Sequence, residues 1–257
     1  MAKVISVYNQ KGGVGKTTTV INLSAALAMT GIFKKKILVI DLDPQGNTSS
    51  GFGIHKDQIE TDIYALLIDE KPVKEAIHEI VAKHLDLIAS TPALTGFEIE
   101  ALSMEEPYAR LKHVIEAIEP EYDFIFIDCP PSLGLLSLNA LAASQSVLIP
   151  IQAEYYALEG VSQLVSTIDL ICSQVNPDLS IEGVVLQMVD QRTNLSQDVM
   201  DEVNRYFGDK VFQTIIPRNI RVAEAPSYGE SVIQYDKSSK GAKAYINLAK
   251  EFKKRNK

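Results

Sequence analysis

This chain holds little that could serve redox or metal-cage chemistry. Its 257 residues include two cysteines and four histidines. Cys129 and Cys172 do not stand at metal-ligand spacing, and a reduced, cytoplasmic protein with both thiols in its core is the simplest fit. His55, His78, His84 and His113 show neither catalytic nor metal spacing and read as surface or structural residues. No apolar run approaches the length of about 20 residues that spans a bilayer. Met1-Ala2-Lys3 runs straight into the first apolar stretch, which leaves no room for a signal peptide. Internal repeats, low-complexity tracts and a long linker are also missing, so one domain over 1–257 is expected. Apolar residues make up 46% of the chain and mean hydropathy is +0.03, enough for a substantial core.

The net charge is −8, which on its face argues against a polyanionic partner. The distribution argues differently. Residues 1–191 carry 12 Lys and Arg against 25 Asp and Glu, whereas residues 192–257 carry 13 against 8. Arg192, Arg205, Arg218, Arg221, Lys237, Lys240 and Lys243 all fall in this last quarter. A local basic face can meet DNA despite an acidic total, although uneven surface charge would give the same count.

What the chain does have is a glycine-rich loop, Asn9-Gln10-Lys11-Gly12-Gly13-Val14-Gly15-Lys16-Thr17-Thr18. It follows the apolar run Val4–Tyr8 and precedes a helical pattern over 19–27. Strand, glycine loop, helix is the context in which backbone N–H groups and a helix start hold phosphates. Gly12, Gly13, Val14, Gly15, Lys16, Thr17 and Thr18 are therefore expected to bind nucleotide. Lys16 would reach the β- and γ-phosphates, and the Thr17 hydroxyl would ligate Mg²⁺.

Further apolar runs lie at 37–40, 124–127, 146–149 and 183–186, nearly continuous rather than alternating. Strands buried on both faces look like this. Helical patterns intervene, among them 107–118 and 156–174. The expected fold is α/β: a doubly wound, mostly parallel sheet with helices on both faces. Ligand groups in such sheets gather beyond the carboxyl ends of the strands. Two more strand ends carry chemistry. One is Asp41-Leu42-Asp43-Pro44-Gln45-Gly46-Asn47, with carboxylates two residues apart. The other is Asp128-Cys129-Pro130-Pro131 after four apolar residues, where Asp128 would hold a water bound to Mg²⁺.

The loop has Gln10 where the usual phosphate-loop pattern has glycine, and a second lysine, Lys11. In this it resembles the deviant Walker A loop of the ParA/MinD/nitrogenase iron protein group of ATPases. The D-x-D-P-Q-G-N and D-x-P-P segments resemble that group's two switch regions. Asp190–Ser196 and Ile216–Gly229, the latter reading I-P-R-N-x-R-x-x-E-A-P-S-x-G, resemble the chromosomal ParA (Soj-type) branch. The resemblance runs from residue 3 to about 250. Gln187-Met188 departs from it, standing where the family commonly has Thr-Met.

The resemblance implies an ATPase that uses ATP and Mg²⁺, dimerises with ATP, binds double-stranded DNA without sequence preference at the nucleoid, and is stimulated by a ParB-like partner. It gives Lys11 a reach across the dimer to the other protomer's nucleotide. It assigns Asp41 to the attacking water, Asp43 to the neighbourhood of Mg²⁺, and Pro217, Arg218 and Asn219 to the adenine. Arg192, Arg218 and Arg221 become DNA contacts. Plasmid relatives that repress their own operon carry a helix-turn-helix ahead of the phosphate loop; two residues precede the first strand here, so direct operator binding is not expected. The rival readings are a MinD-like membrane-associated division regulator and a ParA-like positioner of a non-DNA cargo. Tyr245, Leu248, Ala249 and Phe252 recur at helical spacing near the end, where packing on the sheet is expected and membrane binding is not.

Overall fold

A computed structural model describes residues 1–31, 34–81, 84–154, 157–190 and 192–257. Tyr156 and Gln191, which fall in segments singled out above, lie outside the described residues. The strands are β1 (Lys3–Val7), β2 (Ile37–Asp41), β3 (Ile77–Val81), β4 (Leu85–Ile88), β5 (Phe124–Asp128), β6 (Ser146–Gln152) and β7 (Ser180–Gln187). They form one sheet in the order β3-β4-β2-β5-β1-β6-β7. All neighbours are parallel except β3 and β4, an antiparallel edge pair.

The helices are α1 (Lys16–Met29), α2 (Asn47–Gly51), α3 (Ile63–Ile68), α4 (Phe97–Glu100), α5 (Arg110–Glu116), α6 (Leu135–Ala143), α7 (Ala157–Gln174), α8 (Asn194–Phe207), α9 (Ile220–Glu224), α10 (Val232–Tyr235) and α11 (Lys240–Arg255). The helix expected over 107–118 is thus shorter, held to Arg110–Glu116. β6 runs on through Pro150, which would interrupt a central strand. It is tolerated because β1 pairs with β6 only as far as Leu148, so no ladder bond to β1 is lost.

Successive strand residues go to opposite faces, and both faces are covered. Val4, Leu38, Ile40, Ile125 and Ile127 join a core with α5, α6, α7 and α8. Ile5, Val7, Ile37, Val39, Phe124 and Phe126 join a second core with α1, α10 and α11. That is why the runs are continuous instead of alternating. α11 packs Tyr245, Leu248, Ala249 and Phe252 inward, all fully buried, and Phe252 meets Phe124 edge-on at 5.2 Å. The turn after α2 touches the segment before α10 through backbone alone: a Cβ on Gly229 would fall 2.6 Å from Gly53 Cα.

The chain leaves β1 over β5 to reach β2, while the α6 connection carries it from β5 across β1 to β6. The carboxyl ends of β1, β2 and β5 lie side by side at this reversal, where a doubly wound sheet places its ligand.

Candidate nucleotide site

Strand register sets the site. Val7 pairs with Asp128, and Asp128 with Asp41, so both carboxylates stand level on adjacent strands. Beyond β1 the loop turns through Gly13 and Gly15, at φ 76° and 93°, values that favour glycine. It delivers Lys16 and Thr17 into the first turn of α1.

Asp128 Oδ2 accepts from Thr17 Oγ1 and from Thr48 Oγ1, each at 2.7 Å. Its other oxygen, Oδ1, is buried and has no hydrogen-bond partner among the described residues. Asp41 Oδ2 accepts from the Ser49 amide at 2.8 Å and hydroxyl at 2.7 Å, and Oδ1 from the Asp43 amide at 3.3 Å. Burial pushes both carboxyls above the usual carboxylate range. The charge of Asp128 adds to this for Asp41; hydroxyl donors, and Lys16 for Asp128, pull part of it back. Lys16 is buried too and donates to the carbonyls of Asn9 at 2.9 Å and Lys11 at 3.2 Å. Burial lowers its pKa, opposed chiefly by the nearby carboxylate of Asp128 and also by that of Asp43. The Lys11 ammonium makes no ion pair or hydrogen bond among the described residues.

Gly12, Gly13, Gly15, Lys16, Thr17, Thr18 and Asp43 line a cleft of about 360 Å³, together with Gln45, Asn47, Pro131 and Met188. Val14 is buried behind it. An orphaned buried carboxylate oxygen beside a loop hydroxyl suits a cation such as Mg²⁺. No group of three or more His, Cys, Asp or Glu among the described residues could cage a metal. A cation here would take few protein ligands and fill the rest from phosphate and water, as Mg²⁺ does.

Thr48 and Ser49 were not singled out from the sequence. Thr48 and Ser49 follow D-x-D-P-Q-G-N directly, and that adjacency was the available signal. Met188 sits at φ 54°, uncommon for a side-chain-bearing residue, at the rim of the cleft. Gln187 turns away: it donates to Thr19 Oγ1 at 2.9 Å and accepts from Tyr245 at 3.2 Å, behind the loop.

The residues of the last quarter are not brought into the cleft. Pro217 bridges to Val189, next to Met188, and Asn219 caps α9 through the Arg221 amide. Pro217 and Arg218 line a neighbouring cavity with Arg192, Lys240 and Lys243. The three arginines are charge-paired. Arg192 holds Asp190 bidentately at 2.8 and 2.7 Å, Arg218 lies 3.6 Å from Glu154, and Arg221 meets Glu224 at 2.9 Å and Asp236 at 3.7 Å. Lys240 and Lys243 are exposed, and their ammonium groups have no such partner among the described residues.

A family model described as an AAA domain matches residues 2–181. The sporulation initiation inhibitor protein Soj of Bacillus subtilis is 53% identical over 251 residues, covering 98% of this chain and 98% of that protein. The chromosome partitioning protein ParA of Myxococcus xanthus is 49% identical over 255 residues, 99% of this chain and 89% of that protein. Among solved structures, cobyrinic acid a,c-diamide synthase from Mycobacterium smegmatis, with bound ADP and magnesium, superposes with a TM-score of 0.84. It is 33% identical, over 97% of this chain and 93% of that one.

Proposed function

Because the chain belongs to the ParA/Soj family of chromosome-partitioning ATPases, we propose that it uses MgATP hydrolysis to switch a homodimer on and off DNA. The observation that carries this reading is the level pair of buried carboxylates facing a phosphate loop that bears two lysines.

The residues divide the work by position. Loop amides from Gly12 to Thr18 hold the phosphates, and Lys16 exchanges its two loop carbonyls for β- and γ-phosphate oxygens. Thr17, Asp43 and Oδ1 of Asp128 would hold the cation, which would supply charge neutralisation of the phosphates. Asp41, held by Ser49, orients the attacking water. Lys11 is free to leave its own protomer and meet the partner's nucleotide, placing positive charge where negative charge develops. Hydrolysis is thereby tied to dimerisation. Pro217, Arg218 and Asn219, beside Met188, lie where an adenine would extend from the cleft. A ParB-like protein is the expected activator.

The DNA contact is proposed for the basic cavity and the outer side of α11. Arg192, Arg218 and Arg221 each hold a carboxylate, so each would have to exchange it for a phosphate. Lys240 and Lys243 need no exchange. The apolar stripe of α11 is buried against β5 and α1, which leaves it nothing to insert into lipid and weighs against a MinD-like membrane role.

The test is binding to unrelated duplexes with ATP, with ADP and without nucleotide, across a salt series. Binding should require ATP and fall with a slope of roughly −0.9 per phosphate neutralised. Lys240→Glu with Lys243→Glu should weaken binding to all sequences alike and flatten the slope, with ATP affinity kept. A chain that never binds DNA in ATP would replace this reading with a different cargo.

A further inference from the structure

Gln187 ends β7 and is 1% exposed. The sequence singled it out as a departure, and the function proposed above makes no use of it. A primary amide shut away from water must find partners or cost stability. Its partners are Thr19 of α1 and Tyr245 of α11, both fully buried.

The hydrogen bonds run one way. Tyr245 Oη donates to Gln187 Oε1 at 3.2 Å, Gln187 Nε2 donates to Thr19 Oγ1 at 2.9 Å, and Thr19 Oγ1 donates to the Gly15 carbonyl at 2.6 Å. A hydroxyl has one proton. Because Gln187 offers Thr19 a donor, the Thr19 proton is left for Gly15. The same carbonyl accepts from the Thr19 amide at 2.9 Å. Gln187 also packs against the loop directly: a Cβ on Gly15 would lie 3.4 Å from its Oε1.

A trans peptide is planar, with its carbonyl and N–H on opposite sides. Fixing the Gly15 carbonyl toward Thr19 therefore turns the Lys16 N–H the other way, and Gly15 and Lys16 both line the nucleotide cleft. The strand end is fixed as well. The Gln187 carbonyl accepts from the Ala153 amide at 3.2 Å, and the next residue, Met188, lines the same cleft at φ 54°.

We propose that Gln187 is a positioning residue for the phosphate loop. Acting through Thr19, it sets the Gly15–Lys16 peptide plane for a phosphate before nucleotide arrives, and Tyr245 braces it from α11. It touches no reacting atom. The proposal rests on the nucleotide-site reading above and adds preorganisation to it: a loop already aimed binds more tightly than one ordered on binding. A contact made alike to substrate and transition state shows in KM and not in kcat.

Gln187→Leu keeps most of the bulk and removes both side-chain bonds. ATP and ADP affinities, measured by calorimetry, should fall together by about fivefold. KM for ATP should rise by a similar factor, with kcat changed less than twofold. Thr19→Val should show the same split, and serves in its place if Gln187→Leu does not fold. Thr19→Ser keeps the hydroxyl and should hold KM near that of the wild type. The double variant of Gln187→Leu with Thr19→Val should be no worse than the worse single one, because both act on one carbonyl.

A lower melting temperature with unchanged nucleotide affinity would make Gln187 a core amide and nothing more, and would overturn the proposal. Additive losses in the double variant, or a fall in kcat at unchanged KM, would overturn it too. Wild-type protein that binds neither ATP nor ADP would fault the nucleotide-site reading and the proposal with it, a failure seen before any substitution is made.

Discussion

Phe252 and Asp41 are both shut away from solvent, one on each side of the division between scaffold and site. Phe252 sits in an apolar seam where its ring meets Phe124 and Phe126 at 5.2 and 5.7 Å. Asp41 sits level with a second buried carboxyl, and Ser49 and the backbone offset only part of what its burial costs. Burial of the first kind stabilises the fold. The second kind works against it and persists because the surrounding sheet over-determines it. Stability and chemistry therefore reside in different parts of one sheet, and substitutions should separate them.

The largest effect on folding is expected at the seam. Phe252→Ala should cost about 3–5 kcal/mol, read as a fall in melting temperature of roughly 10 °C for a chain of this size. ATP affinity of the folded fraction should not change. At the site the pattern should invert: Lys16→Ala should lose about 3 kcal/mol of phosphate binding, roughly a hundredfold in ATP affinity by calorimetry, with little change in melting temperature.

Lys11→Ala sharpens the contrast within the loop itself. Its ammonium has no partner among the described residues of its own protomer, so ATP binding by the monomer should survive. Turnover should fall at least tenfold and the ATP-dependent dimer should be lost from sedimentation profiles; a normal dimer with normal turnover would confine Lys11 to its own subunit.

The smallest effect concerns pH. Asp41 and Asp128 titrate higher folded than unfolded, so the folded state holds their protons more tightly. Their stabilising contribution is complete below the ordinary carboxylate range and is lost as pH rises through the raised values, from about pH 4 to about pH 7. The nucleotide-free protein should melt a few degrees lower at the top of that window, and Asp41→Asn should flatten the trend. An unchanged slope in that variant would place the titration elsewhere.

Much of this was legible in the sequence because the chemistry is local. The phosphate loop and the two Asp-bearing strand ends are continuous stretches, each announced by an apolar run that must be a buried strand. The α/β sheet followed from those runs, and its relatives of known structure share that architecture. β3 and β4 were not legible. Ile77–Val81 alternates irregularly, and Leu85–Ile88 carries a buried Asp86 whose partner, Tyr122, is far along the chain. Nor could sequence show that Arg192, Arg218 and Arg221 spend their charge on carboxylates. Arg192 and Arg221 pair with near neighbours that composition counts as separate charges, and Glu154 reaches Arg218 only through the fold. Register, which levels Asp41 with Asp128, is likewise a property of paired strands and not of either alone.

Gly53 and Gly229 meet backbone to backbone, with no side chain between them. Gly53 closes the turn that follows Thr48 and Ser49, the residues gripping both carboxylates; Gly229 ends the stretch that begins at the arginine pairs. Side chains cushion most contacts in a protein, since a rotamer can yield before the main chain does. Here there is nothing to yield. The two segments mesh like bare gear teeth, and a displacement of one must be taken up by the other or by parting them.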